Sequence, residues 1–101
     1  MIRFESDKEK LNLTKTGKIK KDFKLAEKQG LDIDELKIVV GMLAEGKRLP
    51  EKYRDHQLKG NYKGHRECHI DPDWLLIYKI SESILVLSLV RTGSHSRLYK
   101  E

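Results

Sequence analysis

His56–Tyr78, HQLKGNYKGHRECHIDPDWLLIY, is the stretch that decides the fold of this 101-residue chain. It contains three of the four histidines, the single cysteine and the single tryptophan. Its first half is polar and rich in titratable groups, whereas its second half is a nearly unbroken apolar run. A core strand that carries ionisable groups to one end of a sheet is a common way to build a functional site. The stretch therefore predicts a core strand and a site at its end.

The polar half of the stretch alternates as a β-strand does. Successive side chains of a strand point to opposite faces, so His65, Glu67 and His69 are expected on one face. Cys68 and Ile70 then point to the other face, where they can fill a core. The alternation therefore predicts a strand that lines up two imidazoles and a carboxylate on one side.

The apolar half predicts a returning strand and a hairpin. Asp71-Pro72-Asp73 has turn chemistry, because Asp suits the first position of a turn and Pro presets φ at the second. Trp74–Ile80 is expected to run back along the first strand. A third strand is predicted over Ile84–Arg91, and its two apolar faces indicate a strand that is covered on both sides.

Two amphipathic helices are predicted before the hairpin. The first spans Lys18–Gln29 after a cap at Thr14 or Thr16, and the second opens at Asp32, with Glu35 at capping-box spacing. Their apolar stripes contain residues at helical spacing: Ile19, Phe23 and Ala26 in the first, and Leu36, Val39, Val40 and Leu43 in the second, widened by Ile38 and Met42.

The predicted order of elements is β-α-α-β-β-β, with a short first strand at residues 11–14. This order indicates the α+β class, with two N-terminal helices packed on a small antiparallel sheet. Residues 1–10 are expected to be a flexible lead-in, and residues 11–101 a single domain with one core.

The composition favours a polyanionic partner. The net charge is +5, which suits RNA, DNA or an acidic protein. No apolar run is long enough for a membrane helix, and the polar start is not that of a signal peptide. A lone cysteine forms no disulfide framework, which fits the cytoplasm.

Metal and thiol chemistry are not expected from the spacing of the residues. His65 and His69 on one strand are about 13 Å apart, too far to share an ion. Neither a CxxC nor an HExxH motif is present. Cys68 is predicted to face the core, where a thiol usually acts as a small apolar group.

Acid–base chemistry is the remaining possibility for the histidines. Histidine titrates near neutrality, with an ordinary pKa of about 6.5. Two imidazoles beside a phosphodiester can take a proton from a ribose 2′-OH and return one to the leaving 5′-oxygen without a metal. The alternative interpretation is that each histidine is a polar surface residue, because the sequence does not show that they meet in space.

Four segments also resemble a known family: Tyr53–Gly60, Gly64–Ile70, Asp71–Tyr78 and Arg91–Tyr99. They resemble the YafQ-type toxins of the RelE superfamily, which are the toxin halves of bacterial type II toxin–antitoxin pairs. The motifs D-H-x-L-x-G, H-x-x-P-D-W-x-L-I-Y and R-T-G-[ST]-H occur in the order and spacing of that family. The resemblance covers about residues 11–100, although the helices match only in pattern and basic character.

The resemblance implies a ribosome-dependent messenger-RNA endonuclease that acts in the ribosomal A site. In such an enzyme the 2′-OH attacks the adjacent phosphate, leaving a 2′,3′-cyclic phosphate and a 5′-OH, with no cofactor and no metal. The implied catalytic positions are His56, His69, His95, Glu67 and Asp73. We expect His95 to be the general acid, His56 or His69 the base, and Asp73 a residue that orients a histidine.

The resemblance also implies contacts with RNA and with an antitoxin. The side chains expected to contact RNA are Lys18, Lys21, Lys63, Arg91, Arg97 and Tyr99, the last by stacking on a base. The expected antitoxin carries an acidic or amphipathic segment that folds over the basic surface. The chain is expected to be a monomer alone, a hetero-oligomer with the antitoxin, and independent of membranes.

Three positions depart from the family pattern, and three other functions remain open. Glu67 stands where relatives have Asp, Tyr99 replaces a Phe, and His65 stands where an aromatic residue is usual. The same fold family includes gyrase poisons that lack this histidine set. The chain could also be a non-catalytic RNA- or ribosome-binding module, or act only as one half of a protein complex.

Overall fold

The computed structural model describes residues 11–99, so the lead-in expected over residues 1–10 lies outside the described part. In chain order the elements are β1 (Asn12–Lys15), α1 (Gly17–Lys28), α2 (Ile33–Ala44), β2 (His56–Gln57), β3 (Arg66–Asp71), β4 (Trp74–Ser81), β5 (Val86–Gly93) and α3 (His95–Leu98). Single 3₁₀ turns at Glu51–Tyr53 and Gly60–Tyr62 flank β2.

Within residues 11–99 the strands form one sheet in the order β1-β5-β4-β3-β2. The strands from β2 to β5 pair antiparallel, whereas β1 pairs parallel with β5. The predicted α+β class is confirmed, but the sheet is mixed and not wholly antiparallel. A parallel pair needs a long crossover connection, and the chain between β1 and β5 supplies one.

Two short elements were not predicted. Strand β2 has two residues, too few to show alternation, and α3 has four residues in the short polar tail that follows β5. A local signal for α3 does exist, because Ser94 is a favourable N-cap and its side chain accepts a hydrogen bond from Arg97 N. Both elements prove to carry histidines.

The predicted helix caps are confirmed. Of the two candidate caps for α1, Thr16 is the one used: its Oγ1 accepts from Ile19 N at 3.1 Å and donates to Val90 O at 2.7 Å. Asp32 Oδ1 accepts from Glu35 N at 3.1 Å at the start of α2. Thr16 therefore both caps a helix and joins it to the sheet.

Strand β4 lies at the centre of the packing and is buried on both faces. One face packs into the main core with both long helices through Trp74, Leu76 and Tyr78. The other face contributes Leu75 and Ile77 to a smaller cluster that includes Leu98 of α3. This double burial explains the unbroken apolar sequence of the strand.

Two predictions about apolar residues were wrong. Ile38 was expected to widen the buried stripe of α2, yet it is 55% exposed. The third strand was predicted to begin at Ile84, but Ile84 and Leu85 lie in the turn before β5, where Leu85 has φ of 54°. Apolar character does not by itself bury a side chain at the edge of a stripe or in a turn.

No helix within residues 11–99 combines the length and the apolar character that crossing a membrane requires.

The double role of Thr16 predicts that a Thr16→Val substitution lowers the free energy of unfolding by about 1–2 kcal/mol. The substitution keeps the shape of the side chain but removes the cap and the bond to Val90. Chemical denaturation followed by circular dichroism measures the change. The matched control is Thr14→Val, which removes an exposed hydroxyl bond to Ser88 and should change stability by less than about 0.5 kcal/mol. Equal losses of stability in the Thr16 and Thr14 variants would contradict the double role of Thr16.

Candidate active site

A buried carboxylate lies at the centre of the candidate site. Glu67 projects from β3 and is 5% exposed. Its Oε1 lies 3.1 Å from His56 Nε2 and 3.9 Å from His69 Nε2. Its Oε2 accepts a hydrogen bond from the Tyr99 hydroxyl at 2.5 Å. We call these four residues the Glu67 cluster. The cluster joins β2, β3 and the residue that follows α3.

The sheet register explains how the cluster forms. The antiparallel pairing of β2 with β3 places His56 directly opposite Glu67. The two-residue period of β3 places His69 on the same face as Glu67, as the alternation predicts. His65 lies one residue before β3, where its ring packs edge-on against Tyr62 at 5.6 Å between centroids.

The two histidines of the cluster differ in their hydrogen bonds. His56 Nδ1 lies 2.8 Å from the carbonyl oxygen of Arg54, and its Nε2 faces the Glu67 carboxylate. Both partners are acceptors, so both bonds form together only when His56 is an imidazolium. His69 is different, because its Nδ1 is buried without a hydrogen-bond partner among the described residues and its Nε2 is beyond bonding distance from Glu67.

His95 joins the cluster through Tyr99. It is the first residue of α3, and its ring centroid lies 4.8 Å from that of Tyr99. Burial, together with the hydrogen bond to Glu67, raises the pKa of the Tyr99 hydroxyl well above its ordinary value. The hydroxyl therefore stays protonated and keeps donating to the carboxylate.

A second buried carboxylate, which no sequence pattern predicts, lies beside α3. Asp22 of α1 is 2% exposed. It accepts hydrogen bonds from Arg91 Nε at 2.8 Å and Thr92 N at 3.0 Å, and Arg97 Nη2 lies 2.7 Å from it. We call these four residues the Asp22 cluster. Asp22 lies on the buried face of α1 between Ile19 and Ala26, where an apolar residue would be expected.

The pKa of Asp22 reflects two opposing effects. Burial alone would raise the pKa of the carboxyl group, but the hydrogen bonds from Arg91, Thr92 and Arg97 outweigh it and hold the pKa below its ordinary value of 3.8. The carboxylate therefore remains ionised between two guanidinium groups. An ionised group inside a protein is stable when it is paired and hydrogen-bonded in this way.

The Arg-Thr-Gly-Ser segment before His95 has a structural explanation at each position. Arg91 and Thr92 bind Asp22, and Thr92 Oγ1 also donates to Leu75 O at 2.6 Å. A Cβ atom at Gly93 would lie 2.9 Å from Arg97 Nη1, so a side chain there would displace that guanidinium. With Ser94 as the helix cap, the segment sets where α3 begins.

A third carboxylate holds the segment next to His56. Asp55 accepts two hydrogen bonds from Arg66, from Nε at 3.1 Å and from Nη2 at 2.9 Å, and one from the Tyr78 hydroxyl. Burial and this bond raise the pKa of Tyr78 well above its ordinary value. The backbone that presents His56 is thus connected to the core strand β4.

The remaining predicted site residues lie elsewhere. Asp73 is exposed in the turn between β3 and β4, and no hydrogen bond joins it to a histidine within residues 11–99. The geometry therefore does not support its predicted role as a residue that orients a histidine. The register of β3 and β4 shifts between His69 and Asp71, and the turn that carries Asp73 lies beyond the last pair, Asp71 with Trp74.

The basic residues expected to contact RNA fall into two groups. Lys18 and Lys21 on α1 and Lys63 before β3 are exposed to solvent. Arg91 and Arg97 are instead members of the Asp22 cluster. The exposed lysines can attract phosphates collectively, whereas the arginines are already paired with a carboxylate.

The cluster is also a possible metal-ligand set. One ligand atom each from His56, Glu67 and His69 lies within 4.8 Å of the others, and two imidazoles with a carboxylate are common metal ligands. The spacing of His65 and His69 along one strand does not reveal this set, because His56 joins it through a strand of only two residues. Cys68 takes no part, since burial near Asp55 and Glu67 raises the pKa of its thiol to about 12.

A profile of the family described as "Bacterial toxin of type II toxin-antitoxin system, YafQ" matches residues 11–100. The mRNA interferase toxin YafQ of Escherichia coli strain K12 is 41% identical over 85 residues, which cover 83% of this chain and 90% of that protein.

Solved structures agree with the sequence match. YafQ in the E. coli DinJ-YafQ toxin-antitoxin complex superposes with a TM-score of 0.83 at 38% identity, covering 90% of this chain and 99% of that one. A metal-bound toxin from Helicobacter pylori superposes with a TM-score of 0.83 at 47% identity, covering 88% of this chain and 99% of that one.

The lowered pKa of Asp22 predicts how an Asp22→Asn substitution changes stability with pH. The pKa in the folded state lies below the ordinary value of 3.8. The contribution of the ionised carboxylate is therefore fully present above that value and is lost as the pH falls through the folded-state pKa. At neutral pH the variant should be less stable by about 3 kcal/mol.

Denaturant titrations of both proteins at several pH values measure this difference. We expect the stability gap between wild type and variant to be constant above about pH 5 and to narrow steadily below about pH 4. A gap that stays the same down to acid pH would contradict an ionised Asp22.

Proposed function

The chain belongs to the YafQ family of toxins from bacterial type II toxin–antitoxin systems, and we propose that, as a messenger-RNA interferase of that family, it cuts messenger RNA on the ribosome by metal-free histidine chemistry. The observation that carries this proposal is the convergence of three histidines, distant along the chain, on one buried carboxylate. His56 and His69 face Glu67 directly, and His95 packs on the tyrosine that binds it.

The first step needs a group that accepts a proton from the ribose 2′-OH. His69 suits this role, because neither of its nitrogens forms a hydrogen bond within residues 11–99. His56 does not suit it, since both of its nitrogens already face oxygen atoms, of Arg54 and of Glu67. As His69 takes the proton, the 2′-oxygen attacks the adjacent phosphorus and a pentacoordinate phosphorane forms.

The second step needs a proton donor and a positive charge. We assign the donor role to His95, which lies exposed at the start of α3 with its ring next to that of Tyr99. It protonates the 5′-oxygen as the bond from phosphorus to that oxygen breaks, leaving a 2′,3′-cyclic phosphate and a 5′-OH. We assign His56 the second role, since its ring lies beside the Glu67 carboxylate and can stabilise the negative charge on the phosphorane.

Glu67 and Tyr99 have orienting roles in this scheme. Glu67 binds His56 with one oxygen and accepts from Tyr99 with the other, so it fixes two side chains that face the substrate. The ring of Tyr99 contacts His95 on one side and Tyr62 on another. An aromatic face at this point can also stack on a base of single-stranded RNA.

A pocket of about 520 Å³ adjoins the Glu67 cluster. His69 is the one cluster residue among the described residues that line it, and the lining combines two basic groups with three carboxylates: Lys52, Arg54, Asp32, Glu35 and Asp71. The exposed lysines Lys18, Lys21 and Lys63 are proposed to attract the phosphate backbone without reading the sequence. In this scheme the A site of the ribosome positions the codon against the Glu67 cluster.

The reaction as proposed has no place for a metal ion on the cluster. An ion bound by His56, Glu67 and His69 would take up the lone pairs and displace the protons that the scheme uses. The imidazoles transfer protons only when they are not metal ligands. We therefore propose that the same three side chains act as proton-transfer groups and orienting groups, with no cofactor.

The proposed protein partner is a cognate antitoxin. A related toxin forms the DinJ-YafQ toxin-antitoxin complex, and this chain has a net charge of +5. An antitoxin segment with acidic side chains would neutralise the basic surface and keep messenger RNA from the Glu67 cluster. We place this system in the cytoplasm, where translating ribosomes are present.

We expect purified chain added to translating ribosomes to cut messenger RNA at defined codons, and a His95→Ala variant to cut about 10²–10⁴ times more slowly, because the proton donor is removed. Primer extension on the recovered messenger RNA measures the cuts and their rate. The matched control is His65→Ala, which removes a histidine that has no role in the proposed reaction and should keep the wild-type cleavage rate.

An intact transcript after incubation with wild-type chain and ribosomes would contradict the proposed function. Ribosome binding without cleavage would indicate a non-catalytic binding module. Growth arrest accompanied by DNA damage, with messenger RNA uncut, would indicate a gyrase poison. Equal losses in the His95 and His65 variants would contradict the role of His95.

A further inference from the structure

We infer that Asp22 is a positioning residue for the cleavage reaction, because its buried carboxylate holds α3 in place and thereby fixes His95 and Tyr99 against the Glu67 cluster. The inference rests on the proposed function for its effect on catalysis, but the placement of α3 is a property of the fold alone. Asp22 itself does not touch the Glu67 cluster in any hydrogen bond of residues 11–99, so it acts through its partners.

The Asp22 carboxylate connects three separate elements. From α1 it binds the backbone N–H of Thr92 and the guanidinium of Arg91 at the end of β5, and the guanidinium of Arg97 in α3. Both oxygens are used: Oδ2 accepts from Arg91 Nε and Thr92 N, and Oδ1 from Arg91 Nη2 at 3.2 Å and faces Arg97 Nη2. A carboxylate with four donors has little capacity left for a ligand.

Helix α3 needs such support because it has only four residues. A helix of this length is not stable alone, because the entropy cost of forming the first turn exceeds the stabilisation from its hydrogen bonds. Its other supports are the cap at Ser94 and the burial of Leu98. The side chain of Arg97, which lies close over Gly93 and also donates to Thr92 O at 3.3 Å, fixes the turn that enters the helix.

A second connection runs through Arg91. The hydrogen bond to Asp22 raises the pKa of the Arg91 guanidinium, and Tyr62 contributes to the same shift. The ring of Tyr62 packs edge-on against Tyr99 at 6.1 Å between centroids. Asp22 thus supports Tyr99 from two sides, along α3 and through Arg91 and Tyr62.

The charges in the Asp22 cluster make the role distinguishable from RNA binding. Two guanidinium groups share one carboxylate. Asp22→Asn removes that negative charge, so the net charge next to the site becomes more positive by one. RNA affinity should then stay equal or increase, because phosphates are attracted by cations. The rate of the cleavage step should fall, because His95 and Tyr99 are no longer held. A loss confined to turnover is therefore the signature of a positioning residue.

The experiment compares Asp22→Asn with Val39→Ala, a variant that reduces stability in the core of α2, where Val39 is fully buried. Both are measured at a temperature where each remains folded. We expect Asp22→Asn to lower the single-turnover cleavage rate by about 10–100-fold with no weakening of RNA binding. Val39→Ala should keep the wild-type cleavage rate.

A readout that does not depend on cleavage is hydrogen exchange at the backbone amides of α3 and of residue 99. We expect Asp22→Asn to speed their exchange while amides of β3 and β4 remain protected, and Val39→Ala to leave α3 protected. Unchanged exchange in α3 of the Asp22 variant would overturn the inference. A wild-type chain that cuts no RNA would remove the proposed function, yet this exchange result would still test the placement of α3.

A double-mutant cycle with Arg97→Gln keeps the inference testable if the Asp22 variant folds poorly. Arg97→Gln alone should also speed exchange in α3 and slow cleavage. The double variant should lose no more than about threefold beyond the worse single variant, because both changes break the same contact. Fully multiplicative losses, or an Arg97 variant with normal exchange and cleavage, would overturn the inference.

Discussion

The burial of Glu67 is the constraint on which the rest of the site depends. A carboxylate inside a sheet is stable only when donors satisfy it, and here the donors come from two other parts of the chain. His56 arrives on a strand of two residues, and Tyr99 arrives after a helix of four. Each is too short to be stable by itself, so the hydrogen bonds to Glu67 and the fold support one another.

The same physical solution recurs at two places around the site. Asp55 binds Arg66 and Tyr78 next to His56, and Asp22 binds two arginines beneath α3. In each case a carboxylate outside the proposed catalytic set connects a short segment to the rest of the fold. The rigid strands β3 and β4 thus hold histidines that lie far apart in the sequence, which is the pre-organisation that acid–base catalysis requires.

Sequence reasoning succeeded where a single periodic pattern decides the structure. Alternation placed Glu67 and His69 together, and the apolar run from Trp74 identified the central strand. It failed where the outcome depends on tertiary contacts. Asp22 is a charge on the buried face of a helix and is explained only by arginines some seventy residues later, and His56 joins the cluster through a pairing too short to leave a pattern. Asp73 was assigned by resemblance, and its exposed turn does not bring it to the histidines.

The central claim is that these histidines activate the ribose 2′-OH of the RNA itself. The most direct measurement uses a messenger RNA that carries one 2′-deoxyribose at the codon where wild-type chain cuts, presented on the ribosome beside the all-ribose transcript. The account predicts that the substituted position stays intact while the all-ribose transcript is cut to a 2′,3′-cyclic phosphate end. Cleavage at the deoxyribose position at a comparable rate would contradict it, because water or another nucleophile would then be attacking the phosphate.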